Sequence, residues 1–190
     1  MNETKWVVLE DETIAACSIA DPNNFLALYD RYFSRVYNYM RYRSPDTYTA
    51  DDLTSQTFEQ ALAKIDSYNP QKAPFAAWLF TIARNLVNDS LRRKKRIEWV
   101  SLDHVKGTPF QSTSPEEQAE LSDEQQRLVS ALKTLPAKKC DLLALKFAGE
   151  MTNREIARIT GMSEQNVGVT LHRSIKKLRK RLLDEDVNHE

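Results

Sequence analysis

Apolar residues recur at steps of three and four along almost the whole chain, and this periodicity restricts most of it to helices. Asp21-Pro22 opens the first long stretch, which continues through Phe25 to Met40. It ends at Ser44-Pro45, because a residue before proline leaves the helical region of backbone space. Further helices are predicted from near Thr49 and from Phe75. The pattern predicts an all-α fold.

The helical pattern is interrupted once, between residues 98 and 126. This stretch holds seven acidic side chains against one basic one, and Gly107, Pro109 and Pro115 mark a flexible connection. We therefore predict two small helical domains, 1–97 and 126–190, joined by an acidic linker over 98–125. A capping box at Ser114 to Glu117 is expected to restart the helix.

The second domain carries the pattern of a helix-turn-helix. Thr152 to Glu155 is a capping box that opens a short helix, Gly161 allows a sharp turn, and Ser163 caps a longer helix. The second helix of such a motif lies in the major groove of DNA with its first residues on base edges. Here the predicted base-reading residues are Gln165, Asn166, Val169 and Thr170, and the predicted phosphate contacts are Arg154, Arg173, Lys176 and Lys177.

The charge distribution supports a nucleic-acid partner, although the chain as a whole carries 27 basic and 27 acidic residues. Residues 151–183 hold eight basic against two acidic side chains, and residues 84–96 hold six against one. Two positive patches favour a polyanion that is bound at two points. A solvated basic helix end is the alternative reading of each patch taken alone.

Aromatic and basic residues alternate around the start of the third helix. Tyr68, Phe75 and Trp78 lie close in sequence to Lys72 and Arg84. Such mixtures suit single-stranded DNA, whose unstacked bases pack on aromatic rings. The spacing of Phe75 and Trp78 fits core positions equally well, so both interpretations stay open for these two rings.

Composition argues against most enzyme classes. The four glycines form no nucleotide-binding motif, the three histidines lack partners at zinc-ligand spacing, and no cofactor or metal is predicted. Two cysteines, Cys17 and Cys140, fit a reducing cytoplasm, and no apolar run reaches the ~18 residues that a membrane span needs. A nuclease using Asp51, Asp52 and Glu59 is disfavoured, because adjacent helical residues point about 100° apart.

Two segments together resemble a known family. Ala50 to Phe58, then Phe75 to Asn85 with Asp89 and Arg92-Arg93, resemble region 2 of the extracytoplasmic-function (ECF) sigma factors of bacterial RNA polymerase. Leu135-Pro136 and the stretch Asn153 to Arg173 with Leu178 resemble region 4. The resemblance implies promoter recognition, melting of the -10 element and transcription initiation by core polymerase, without an active site of its own.

The resemblance also implies roles for particular residues. The clamp coiled coil of core polymerase would be bound by Asp51, Asp52, Leu53, Gln56 and Glu59. The -10 element, partly single-stranded, would be bound by Tyr68, Lys72, Arg84, Asn85, Asp89, Arg92 and Arg93. Region 4 would read the -35 element as duplex. An anti-sigma factor is the further implied partner, with no membrane insertion and no obligate self-association.

Several features remain open at this stage. The family often has basic residues where this chain has Gly168 and Thr170, so either the backbone approaches DNA closely at Gly168 or the helix contacts fewer groups. Residues 1–20 could bind a partner or pack on region 2. The acidic linker is hypothesised to follow the path of nucleic acid inside polymerase. A free-standing helix-turn-helix regulator that binds duplex DNA without polymerase is the alternative function.

Overall fold

The computed structural model describes the backbone of residues 9–100, 128, 131–132 and 134–187, and the side chains of these residues except 95–100 and 184–187. This part of the chain is helical and contains no strand, which confirms the all-α prediction. The helices, in chain order, are α1 (Asp11–Ala20), α2 (Leu26–Arg43), α3 (Thr47–Ala63), α4 (Phe75–Val100), α5 (Ala137–Leu143), α6 (Asn153–Thr160) and α7 (Glu164–Val187).

The helix starts of the first unit follow from local capping. The Asp21 carboxylate accepts a hydrogen bond from the backbone N–H of Asn23 at 3.0 Å, and a 3₁₀ turn over Pro22–Phe25 leads into α2. The Asp46 carboxylate accepts from the N–H of Thr49 at 2.7 Å, so α3 begins at Thr47. Both residues satisfy N–H groups that a helix end would otherwise leave without a partner.

Helix α1 packs on the first unit, which is one of the two alternatives stated for residues 1–20. It buries Ile14 and Ala15 in the core. Its Asp11 carboxylate forms an ion pair with Arg31 and accepts a hydrogen bond from the hydroxyl of Tyr32, both on α2. The predicted role of residues 1–8 lies outside the described residues.

The second unit is built around the short helices α5 and α6 and the first half of α7. Helix α5 continues as a π-helical turn over Ala144–Ala148, and the backbone turns at Gly149. Leu145, Ile156, Val167 and Leu171 are buried between these elements. The predicted linker and the capping box at Ser114 lie outside the described residues.

The two units share one connected apolar core. Helix α2 packs on the turn Ala144–Ala148, and α4 packs on α6. Buried Phe80 of the first unit and Leu145 of the second belong to the same cluster of core side chains. Within the described residues, no helix has both the length and the hydropathy needed to cross a bilayer.

Candidate polymerase and promoter interfaces

Helix α3 presents a polar face to solvent. Asp51, Asp52 and Glu59 are exposed, and Gln56 is half-buried. The side-chain amide of Gln56 donates to the Asp52 carboxylate at 2.7 Å, one helical turn away. Four of the five residues predicted to bind polymerase therefore share an accessible surface that carries three carboxylates. Carboxylates on a rigid helix suit a basic partner, since they accept charge-assisted hydrogen bonds from lysine and arginine.

Leu53 does not belong to that surface, and its predicted contact with polymerase is corrected here. Its side chain is only 4% exposed and lies in the core of the first unit. A partner could reach it only by opening the core, so Leu53 supports α3 from inside. Leu62, close to the end of the same helix, is 37% exposed.

Two aromatic rings of α2 stack on each other, and one of them also packs on α3. The rings of Phe33 and Tyr37 stack at 5.9 Å with 5° between their planes, and Phe33 also packs on Phe58 of α3 at 6.4 Å. Phe33 remains 36% exposed. Phe33 is therefore a partly exposed aromatic ring that contacts α3 through the buried Phe58.

The loop before α4 is held by an aromatic cluster. The Tyr68 ring meets Phe75 edge-on at 5.5 Å and Trp78 at 5.3 Å, and its hydroxyl donates to the carbonyl of Ala73 at 3.2 Å. Tyr68 is 9% exposed, and burial, with Glu12 and Asp11 nearby, raises its pKa to about 12. The prediction that Tyr68 contacts the -10 element is corrected accordingly: in this structure the ring shapes the loop and offers no open face for a base.

The other residues predicted for the -10 element line the loop and α4. Lys72, Asn85, Arg92 and Arg93 are exposed. Asp89 is half-buried and forms an ion pair with Arg92, one turn further along the helix. These side chains form a mixed polar and basic surface, as the charge pattern predicts.

Arg84 is engaged differently from its neighbours on α4. Its Nε lies 2.7 Å from Oδ2 of Asp141, on α5 of the second unit, and its Nη1 lies 3.5 Å from the carbonyl oxygen of Ile159. The side chain is 27% exposed. A residue predicted to bind promoter DNA is therefore paired with a carboxylate of the other unit. Helical periodicity does not predict this contact, which joins residues 57 positions apart in the chain.

The helix-turn-helix prediction is confirmed in its local geometry. The hydroxyl of Thr152 accepts from the N–H of Glu155 at 3.2 Å, and the Glu155 carboxylate accepts from the N–H of Thr152 at 2.8 Å. Gly161 has φ of +73°, a left-handed conformation that glycine adopts without strain. The hydroxyl of Ser163 accepts from the N–H of Asn166 at 3.2 Å and caps α7.

The residues predicted to read the -35 element lie on the outer side of this motif. Seven of the eight are exposed: Arg154, Gln165, Asn166, Val169, Arg173, Lys176 and Lys177. Thr170 is half-buried. His172 is not among the predicted residues, but it is exposed three residues after Val169 and extends the same surface. The three-residue spacing, which places both side chains on one side of the helix, could have predicted this.

Gly168 lies within α7, and the neighbouring residues leave space for a side chain there. A Cβ built at this position would have Asn153 Nδ2 at 3.5 Å as its nearest neighbour, which is an ordinary van der Waals contact. Packing within the protein therefore does not require glycine at position 168.

No metal centre competes with this interpretation in the part of the chain that the structure describes, since no three His, Cys, Asp or Glu residues are placed to share an ion there. The two units instead match two family models. Residues 28–97 match sigma-70 region 2, and residues 125–178 match sigma-70 region 4. A chain with both, in this order, is a sigma-70-type promoter-recognition subunit of RNA polymerase.

Comparison with individual proteins narrows the class. The chain is 32% identical to the ECF RNA polymerase sigma factor SigM of Bacillus subtilis over 165 residues, 86% of this chain and 97% of that protein. It is 32% identical to the ECF sigma factor BldN of Streptomyces coelicolor over 176 residues, which cover 92% of this chain and 66% of BldN. This chain belongs to the ECF RNA polymerase sigma factors and functions in transcription initiation.

A solved structure resembles the whole arrangement. CnrH, in complex with the cytosolic domain of CnrY, has a TM-score of 0.67 to this chain and is 25% identical to it; the match covers 93% of this chain and 98% of CnrH. Helix α1 lies outside the residues that match region 2, so the packing of α1 is a feature beyond the matched domain.

Proposed function

We propose that three exposed surfaces of this chain have separate binding roles in transcription initiation. The α3 face, with Asp51, Asp52, Gln56 and Glu59, binds the clamp coiled coil of core polymerase. The loop before α4 and the surface of α4 bind the -10 element, and the start of α7 reads the -35 element. The observation that supports this division is the exposure of these predicted polar residues on separate helices, each held by its own buried face.

The -35 contact follows from the chemistry of α7. Gln165 and Asn166 are exposed in the first turn, where a groove-bound helix meets base edges. Each amide can pair with adenine through two hydrogen bonds, and such a pair discriminates by about 1–3 kcal/mol. Arg173, Lys176 and Lys177 follow on later turns and supply charge for phosphates.

The -10 contact combines a shaped loop with basic side chains. The aromatic cluster fixes the loop, and Lys72, Arg92 and Arg93 remain exposed around it. Capture of unstacked bases and phosphates on this surface offsets the pairing energy that melting costs. Tyr68 contributes as a support for the loop.

Two further elements belong to the proposal. A partner protein regulates the chain as an anti-sigma factor, an assignment supported by its similarity to CnrH, which is bound to the cytosolic domain of CnrY. The protein works in the cytoplasm, where polymerase and chromosome are found, and leaves the chemistry of RNA synthesis to polymerase. The domain bounds 1–97 and 126–190 and the acidic linker over 98–125 belong to the same proposal.

Footprinting with reconstituted holoenzyme tests the division. Gln165→Ala with Asn166→Ala should lose protection at -35 and keep protection at -10, whereas Arg92→Ala with Arg93→Ala should weaken opening at -10 without reducing polymerase binding. Lys138→Ala, an exposed substitution on α5, is the control and should leave both footprints intact. Loss of both footprints in either double variant, or of neither, contradicts the division.

A further inference from the structure

Asp141 is a buried carboxylate that bridges the two units of the chain. Its side chain is 5% exposed, yet it lies on α5 in an otherwise apolar run. Its side-chain partners among the described residues come from the first unit. The Tyr39 hydroxyl donates to Oδ1 at 2.9 Å, Arg43 Nε lies 3.2 Å from Oδ1, and Arg84 Nε lies 2.7 Å from Oδ2. We call these four residues the interdomain latch.

The latch is built from groups that are costly to bury singly. Tyr39 is fully buried, and its burial together with the nearby Asp141 charge raises the pKa of its phenol, so the hydroxyl stays a donor. Arg43 is 3% exposed and donates from Nη2 to Asn88 at 3.1 Å. Removing the carboxylate would leave two guanidinium groups facing the same apolar interface without their counter-charge, which strongly disfavours contact between the units.

A second contact closes the same interface independently of Asp141. Arg35 of α2 donates to the carbonyl of Gly149 from both Nε and Nη2, at 3.0 and 2.9 Å. Its guanidinium lies over the rings of Tyr32 and Phe80. A Cβ at Gly149 would come within 2.7 Å of the Phe80 ring, so a larger residue in this turn would require the ring or the backbone to shift. The interface between the two units therefore combines specific hydrogen bonds with close packing.

This closed arrangement is incompatible with reading both promoter elements. The -10 and -35 elements are named for positions 25 base pairs apart, which is roughly 85 Å along a duplex at 3.4 Å per base pair. In the closed chain, the α4 residue Arg84 is 2.7 Å from α5 of the other unit. The two units must separate before both elements can be occupied.

The interdomain latch also has features that disfavour its closed state. One carboxylate serves two guanidinium groups, and Nη1 of Arg43 is buried without a hydrogen-bond partner. The cluster thus holds a surplus positive charge and an unpaired donor, both of which disfavour burial. A phosphate of promoter DNA offers Arg84 a replacement for Asp141.

We propose that Asp141 is an autoinhibitory residue: in the free chain it holds Arg84 away from promoter DNA until the two units separate. The proposal rests on the assignment of Arg84 to the -10 surface made above. It predicts that weakening the latch opens the chain and strengthens its binding to single-stranded DNA. A merely structural role for Asp141 predicts that binding weakens instead.

The test compares full-length variants by small-angle scattering and by binding to a labelled random-sequence single-stranded DNA 12-mer. Asp141→Asn keeps the shape of the side chain and removes its charge. We expect a larger radius of gyration and about tenfold tighter DNA binding, since a binding-competent state that is rarely populated lowers apparent affinity by its population. Asp30→Asn, an exposed carboxylate on α2, is the charge-matched control and should match wild type in both measurements.

Two further variants keep the result interpretable. Tyr39→Phe removes one hydroxyl from the opposite side of the latch and should shift both measurements in the same direction by less; it carries the test if Asp141→Asn loses helical structure. Adding Arg84→Ala to Asp141→Asn should cancel the gain in DNA binding while the chain stays expanded. Wild-type compactness in both Asp141→Asn and Tyr39→Phe overturns the latch. Expansion with no effect of Arg84→Ala on DNA binding overturns the role of Arg84 in the proposed function and leaves the closure itself standing.

Discussion

Replacing Gly168 by alanine should stabilise the protein. Glycine inside a helix costs about 1 kcal/mol relative to alanine, because the unfolded backbone has more freedom to lose. The added Cβ would have Asn153 Nδ2 at 3.5 Å as its nearest neighbour, so no overlap offsets the gain. We expect the free energy of unfolding to rise by about 0.5–1 kcal/mol, which raises the melting temperature by roughly 1–4 °C in a chain of this size.

Thermal unfolding followed by far-UV circular dichroism measures this effect, and the other described glycines supply matched controls. Gly161→Ala has open space for a Cβ but would place alanine at φ of +73°, at a cost of about 1–2 kcal/mol. Gly149→Ala would bring its Cβ within 2.9 Å of the carbonyl oxygen of Leu145. Both should lower the melting temperature. A fall for Gly168→Ala as well would refute the reasoning from helix propensity and available space.

The same variant separates the two explanations for glycine at this position. If the α7 backbone approaches DNA closely at Gly168, the alanine variant is more stable and binds the -35 duplex more weakly. If the helix contacts fewer groups there, the variant is more stable and binds unchanged. Anisotropy with a labelled -35 duplex distinguishes these results, with Lys138→Ala as the control for nonspecific charge effects.

Three other effects should be measurable by chemical or thermal unfolding. Leu53→Ala removes a buried side chain from the first unit and should cost about 2–5 kcal/mol, whereas an α3 surface residue would cost little; a loss under 0.5 kcal/mol would return Leu53 to the surface. Thr152→Ala removes the cap of α6 and should cost about 1 kcal/mol, with Thr152→Ser as the conservative control that retains stability. The raised pKa of Tyr68 means that the unfolded chain releases the phenol proton near pH 10 while the folded chain holds it until about pH 12, so stability should fall as pH rises through this range. Tyr68→Phe should flatten that decline, and an unchanged slope would contradict the burial of the ring.

The helices and the turn of the second unit were predictable because their signals are local. Thr152 and Glu155 are three residues apart, and Gly161 and Ser163 follow at the spacing of a turn and a cap. Such signals depend on neighbours along the chain, which the sequence displays directly. The surface face of α3 was predictable for the same reason, since helical spacing alone groups Asp52, Gln56 and Glu59.

The two misplaced residues have different causes. The resemblance assigned Leu53 to polymerase, although its spacing of four and eight residues from Thr57 and Ala61 puts it on the buried face of α3. The position of Tyr68 depends on packing within the loop before α4. Tyr68 lies among aromatic and basic residues, a mixture typical of surfaces on which bases stack. In the structure, its ring is covered by Phe75 and Trp78.

The contact between the units could not be read from periodicity, because Asp141 and Arg84 are 57 residues apart. A lone carboxylate within an apolar run was the available clue, since a buried charge requires a partner.

The most direct test of the central claim is complex formation with bacterial core RNA polymerase on a sizing column. Wild type should co-elute with core polymerase, and Asp51→Arg with Asp52→Arg should abolish co-elution while helical content and melting temperature stay at the wild-type values. Asp30→Arg on the exposed side of α2 is the matched control and should still bind. Failure of the folded wild type to bind core polymerase, with duplex DNA still bound, would contradict the account and favour a free-standing DNA-binding regulator.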